Sequence, residues 1–182
     1  MWQPIYPYLA QWIGQWSLTK AGWILEMGPF SGGISASLMT LFPYLKAVCL
    51  ISQEEVAQTI RIQFEPDPEI VVGSLEVLPF GASFNMVIIR GAFFFLTPKI
   101  IREAYRVLNP QAYALLGGGY GPLTPSEQII KIAEESKRLN YLLGKKWISR
   151  AELEEMIEDA GVERCAQILE DGGLWLLLRK DL

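Results

Sequence analysis

The stretch Gly22 to Leu38, GWILEMGPFSGGISASL, constrains the fold more than any other part of the chain. Trp23, Ile24, Leu25 and Met27 make the short apolar run of a fully buried parallel strand, and Glu26 sets a carboxylate near its carboxyl end. Gly28, Gly32 and Gly33 follow at once. Glycines there let the backbone turn and come close to a ligand, and Ser31 is placed to cap a helix that begins at Ile34. The amino end of that helix would face a crevice and favour an anionic group. Strand, glycine turn and helix together form a unit that cradles a nucleotide-like ligand.

The rest of the chain continues the alternation. Pro43 ends the first helix, and Lys46 to Ile51 form a second apolar strand. Ser52 and Glu55 have the spacing of a capping box for a helix through Ile62. The proline-rich loop FEPDPE leads to a short strand at Glu69 to Val72, and Asn85 to Arg90 form the next strand. Thr97 caps an amphipathic helix that stops before Pro110, and Gln111 to Leu116 supply a fifth strand ending in a glycine loop at 117–121. Helices follow near residues 126–139 and 149–160, the second opened by a capping box of Ser149 and Glu152. Two apolar runs, Val162 to Leu169 and Leu174 to Leu178, flank EDGG, which signals a hairpin. The pattern predicts a parallel sheet with helices on both faces, closed by an antiparallel hairpin.

No linker divides the 182 residues, so residues 1–182 read as a single domain. Hydrophobic residues make up 51%, yet the apolar runs fall short of the roughly 20 residues of a membrane-spanning helix. No basic region precedes an apolar run with a small-residue cleavage site, and a cytoplasmic location is the expectation. The net charge is −4 with no basic stripe, which disfavours nucleic acid and gives no sign of a membrane partner. Without histidine the chain has no His-based zinc site and no Ser-His-Asp or Cys-His catalysis; no metal is expected. Cys49 and Cys165 both read as core residues of strands. Residues 1–20 form an aromatic-rich helical segment with Ile5, Leu9, Trp12, Ile13 and Trp16 on one face. It either packs on the sheet or offers an aromatic surface to a protein partner or a second copy of the chain.

Four pieces, in order, resemble class I S-adenosylmethionine-dependent methyltransferases. Glu26, Gly28 and Gly32 are similar to the first motif, acidic-x-Gly-x-Gly-x-Gly, with Phe30 in place of the middle glycine. EVLPFGASFNMVIIRGAFFFL, REAYRVLNPQAYALLGG and ISRAELEEMIEDAGV resemble later stretches of the family. The resemblance implies a Rossmann-like methyltransferase fold: a mostly parallel seven-stranded sheet of order 3-2-1-4-5-7-6 with strand 7 antiparallel. It also implies S-adenosyl-L-methionine as cofactor. Cofactor-binding positions carried over from the family are Glu26, Gly28, Phe30, Gly32, Leu50, Ser74, Leu75, Arg90 and Gly91; no catalytic residue is assigned. In the family an acidic residue stands at Leu50 to grip the ribose hydroxyls and another at Ser74 to bond the adenine amine, while Gln53 or Glu54 could reach the ribose instead. Arg90 and Gly91 lie where the fourth strand ends at the methyl group. Losing both acidic contacts weakens cofactor affinity by roughly two to four powers of ten. The resemblance therefore implies methyl transfer to a small or apolar acceptor. Its alternatives are an inactive methyltransferase-fold protein serving as a binding or subunit scaffold, and a binder of another small ligand in the same crevice.

Overall fold

Strand and helix alternate through most of the chain from residue 22 to residue 142, and the chain closes on two successive strands. The computed structural model describes residues 2–16, 21–144 and 148–181, so residues 17–20 of the aromatic segment lie outside the described residues. A short 3-10 turn precedes α1 (Tyr6–Ile13). There follow β1 (Gly22–Met27), α2 (Gly33–Leu41), β2 (Leu45–Ile51), α3 (Glu54–Gln63), β3 (Glu69–Val72) and β4 (Phe84–Arg90). The second half comprises α4 (Pro98–Arg106), β5 (Leu108–Gly119), α5 (Ser126–Leu142), α6 (Arg150–Ala160), β6 (Ala166–Leu169) and β7 (Gly173–Arg179). The seven strands form one sheet in the order β3-β2-β1-β4-β5-β7-β6. Neighbours from β3 to β5 pair parallel, and β7 runs antiparallel to both β5 and β6.

Alternate residues of each strand serve opposite faces of the sheet. Leu25, Met27, Val87 and Ile89 pack with α4 and α6, whereas Ile24, Met86 and Ile88 pack with α1 and α2. The same alternation places Glu26 and Arg90 on the second face, at the carboxyl ends of adjacent strands. The eight-residue α1 is too short to hold as an isolated helix, which takes about 12–15 residues, so its packing holds it. Leu9, Ala10 and Ile13 are fully buried and Trp12 nearly so. Trp12 turns inward and stacks edge-on against the buried Trp175, and the half-buried Trp16 stacks against Trp12. Of the two expectations for this segment, the described residues show the packing on the sheet through Ile5, Leu9, Trp12 and Ile13, while Trp2, Tyr8 and Trp16 are half-buried.

Several local readings are also corrected. Ser31 does not cap α2; its hydroxyl donates back to the Gly28 carbonyl, 2.8 Å away. Gln53, not Ser52, precedes α3, and its side chain makes no capping bond. Gly117 to Gly119 extend β5 and pair with β7 through Trp175, Leu174 and Gly173, so the hairpin recruits them from the expected loop. Cys165 lies in a 3-10 turn before β6. Thr97 does cap α4 by accepting from the Ile100 N–H, and the Ser149–Glu152 capping box opens α6. None of the described helices is long and apolar enough to cross a membrane.

Candidate ligand site at the carboxyl edge of the sheet

Glu26 organises the turn after β1. Its Oε2 accepts from the N–H groups of Gly32 and Ser35, each at 2.9 Å, so a strand carboxylate caps α2 from below. The side chain is fully buried and Oε1 has no partner among the described residues. Burial pushes the Glu26 carboxyl above its usual range; the bonds from Ser35 and Gly32 and the charge of Arg90 pull the other way.

Aromatic rings cover the bare backbone of the glycines around this turn. A Cβ added to Gly28 would lie 2.6 Å from the Phe95 ring, and one on Gly32 2.6 Å from the Phe64 ring. Tyr6 presses on Gly33 in the same way. On the β4 side, Phe30 turns inward and lies over Gly91, with a ring carbon 2.6 Å from the position of an added Cβ. Its ring centre is 5.2 Å from that of Phe94. The surface from Gly28 to Gly91 is therefore covered by protein rings.

Beyond Phe30 the edge opens into a cavity of about 440 Å³ at the ends of β4 and β5. Phe93, Phe94, Tyr120 and Leu174 supply apolar walls, α5 adds Ser136, and Arg90 reaches it from the end of β4. Arg90 is 6% exposed. Its guanidinium carbon sits 3.9 Å from the centre of the Trp2 ring and 5.7 Å from that of Tyr6. Burial lowers its pKa, opposed by Tyr6, Glu26 and Tyr120, although an arginine stays protonated throughout the working range.

A family model described as a methyltransferase domain matches residues 25–116, just over half of the chain. The chain belongs to this S-adenosylmethionine-dependent, class I methyltransferase family. No curated protein matches it significantly in sequence. Among solved structures, it is similar to a Methanococcus maripaludis protein described as an S-adenosyl-L-methionine-dependent methyltransferase, with 22% identity, a TM-score of 0.77, and 98% of this chain and 86% of that one covered. A Bacillus halodurans protein described as a methyltransferase gives 19% identity and a TM-score of 0.64 over 95% of this chain and 99% of the other. A third, described as a methyltransferase in complex with the Haloferax volcanii Trm112 methyltransferase activator, gives 15% and 0.71 over 100% and 92%. These likenesses show the fold: the methyltransferase sheet order and the antiparallel β7 are both present.

The positions that the methyltransferase motifs pick out divide into two groups. Phe30, Arg90 and Gly91 come together along the cavity. Glu26, Gly28, Gly32 and Leu50 are buried beneath the turn, Leu50 with no exposed surface and its carbonyl accepting from the Gly28 N–H. Ser74 is exposed, its hydroxyl accepting from the Glu76 N–H, and Leu75 packs against the core. Gln53 and Glu54 both face solvent. The residues present do not fit S-adenosylmethionine: rings lie on Gly28, Gly32, Gly33 and Gly91, a leucine stands one residue before the end of β2, and Ser74 points its hydroxyl into its own loop. Sequence reasoning missed Trp2, Tyr6 and Phe64, which reach the site from outside its motifs; only the alternation along β4, which puts Arg90 on the face of Glu26, pointed toward them.

Proposed function

We propose that this methyltransferase-family chain binds a small, mainly apolar molecule in the cavity at the ends of β4 and β5, and that it holds no S-adenosylmethionine beside β1. The observation that carries this reading is the pair of rings, Phe95 on Gly28 and Phe30 on Gly91. Burying a phenylalanine contributes about 1.5–3 kcal/mol, so expelling both opposes a ligand by roughly two to four powers of ten in affinity. That penalty adds to the loss of the two acidic contacts at Leu50 and Ser74. The cavity needs no such rearrangement, and its apolar walls with a few polar groups suit a small ligand.

A second reading, methyl transfer to a small or apolar acceptor, draws support from the position of the cavity against Arg90 and Gly91, where the fourth strand of the family ends. The two readings differ in a competition experiment. Naphthylmethanol, a neutral two-ring probe, is titrated calorimetrically into the full chain. Saturable binding below about millimolar concentration is expected, lost in Ala133→Leu, which fills the cavity from α5, and unaffected by S-adenosylhomocysteine. Absence of probe binding would sink the ligand reading; S-adenosylhomocysteine binding alongside the probe would favour transfer.

A further inference from the structure

We propose that Arg90 gives the cavity a specific preference for an amphipathic anion, an aromatic or aliphatic molecule carrying a carboxylate; this rests on reading the cavity as a ligand site. Arg90 lines the cavity and is 6% exposed, yet none of the described carboxylates forms an ion pair with it. Its Nε–H is buried without an acceptor. The faces of Trp2 and Tyr6 attract the cation but accept no in-plane hydrogen bond from it. Glu26 shares its face of the sheet and acts on it electrostatically, but no ion pair or hydrogen bond joins the two: Oε2 accepts from Gly32 and Ser35, and Oε1 has no partner among the described residues.

A buried guanidinium with no carboxylate in ion-pair contact is costly unless something pairs it. A planar carboxylate matches the fork of its donors, and the phenyl rings and Leu174 would hold the apolar remainder. Lys137 also lines the cavity, but it is exposed at the rim, where solvent screens its charge. The buried cation, not the rim lysine, is thus the source of selectivity.

Naphthoate and naphthylmethanol have nearly the same shape and differ in charge, so their calorimetric titration into the full-length protein isolates the contribution of Arg90. Naphthoate is expected to bind roughly 10- to 100-fold more tightly than the alcohol. Arg90→Gln should abolish that preference, and Lys137→Ala should leave the preference intact. The wild-type comparison decides the matter even where Arg90→Gln fails to fold. Equal affinities in the wild type would overturn the assignment and leave the cavity as an apolar site, with Glu26 as the internal counter-charge of Arg90. A preference lost in Lys137→Ala would overturn it too. If neither probe binds, this inference and the ligand reading fall together.

Discussion

The two halves of the sheet's carboxyl edge are built from the same materials and end in opposite states. On the β1 side, Gly28 and Gly32 leave bare backbone, and Phe95 and Phe64 fill it. On the β5 side, glycines 117–119 pair with the hairpin strand β7, and the rings nearby line a cavity. The difference lies in what faces the glycines. A ring delivered from the end of β4 or from the loop after α3 closes its space, whereas strand pairing consumes the backbone and leaves the side-chain layer beside it open. On the function proposed above, the ligand site of this chain is the second of these regions, not the first.

The largest effect should come from Leu50→Asp, which restores an acidic residue at the end of β2 but buries its charge where the leucine has no exposed surface. A loss of more than about 4 kcal/mol is expected in urea unfolding, enough to prevent isolation of a folded protein. A folded variant that gains S-adenosylhomocysteine affinity would break the contrast, because the end of β2 would then face a ligand. Phe95→Ala comes next. It removes a half-buried ring and should cost about 2–3 kcal/mol while uncovering Gly28, leaving naphthylmethanol binding unchanged. Altered probe affinity would show that the two regions are one site.

Glu26→Gln sharpens the comparison through pH. The folded-state pKa of Glu26 is raised, so its ionisation opposes folding: the penalty is absent below the unfolded pKa and grows as pH rises through the folded one. Relative to the wild type, the variant should gain stability as the pH rises above the ordinary glutamate range in denaturant titrations. An opposite slope would mean that the capping bonds from Gly32 and Ser35 outweigh burial. The smallest effect belongs to Ser74→Asp, at an exposed loop position, where a stability change within about 0.5 kcal/mol and no gain in cofactor affinity are expected.

The fold was legible because it rests on local signals: the buried strands, the glycine turn, Thr97, the Ser149–Glu152 box and the EDGG hairpin all act within a few residues. The family motifs extended those signals to the strand order. The site was legible only in part. Phe30 was singled out by its place in the motif, but Phe64 on Gly32 and Trp2 on Arg90 depend on contacts across 32 and 88 residues of sequence, which periodicity does not encode. Helix capping by Glu26 escaped the local rule for another reason: the cap comes from the strand, six and nine residues before its donors, and not from the residue preceding the helix. Likewise the aromatic character of residues 2–16 was plain, while its direction depended on whether the neighbouring sheet offered a face to cover.

The central claim is that the crevice beside β1 is closed to the cofactor of the family. Calorimetric titration of the full chain with S-adenosylhomocysteine tests it most directly, because this molecule presents the ribose, adenine and amino-acid groups without a transferable methyl. The account predicts no binding heat up to about millimolar concentration, equivalent to less than about 4 kcal/mol of affinity. A dissociation constant in the micromolar range would contradict it and return the chain to the enzymes of its family.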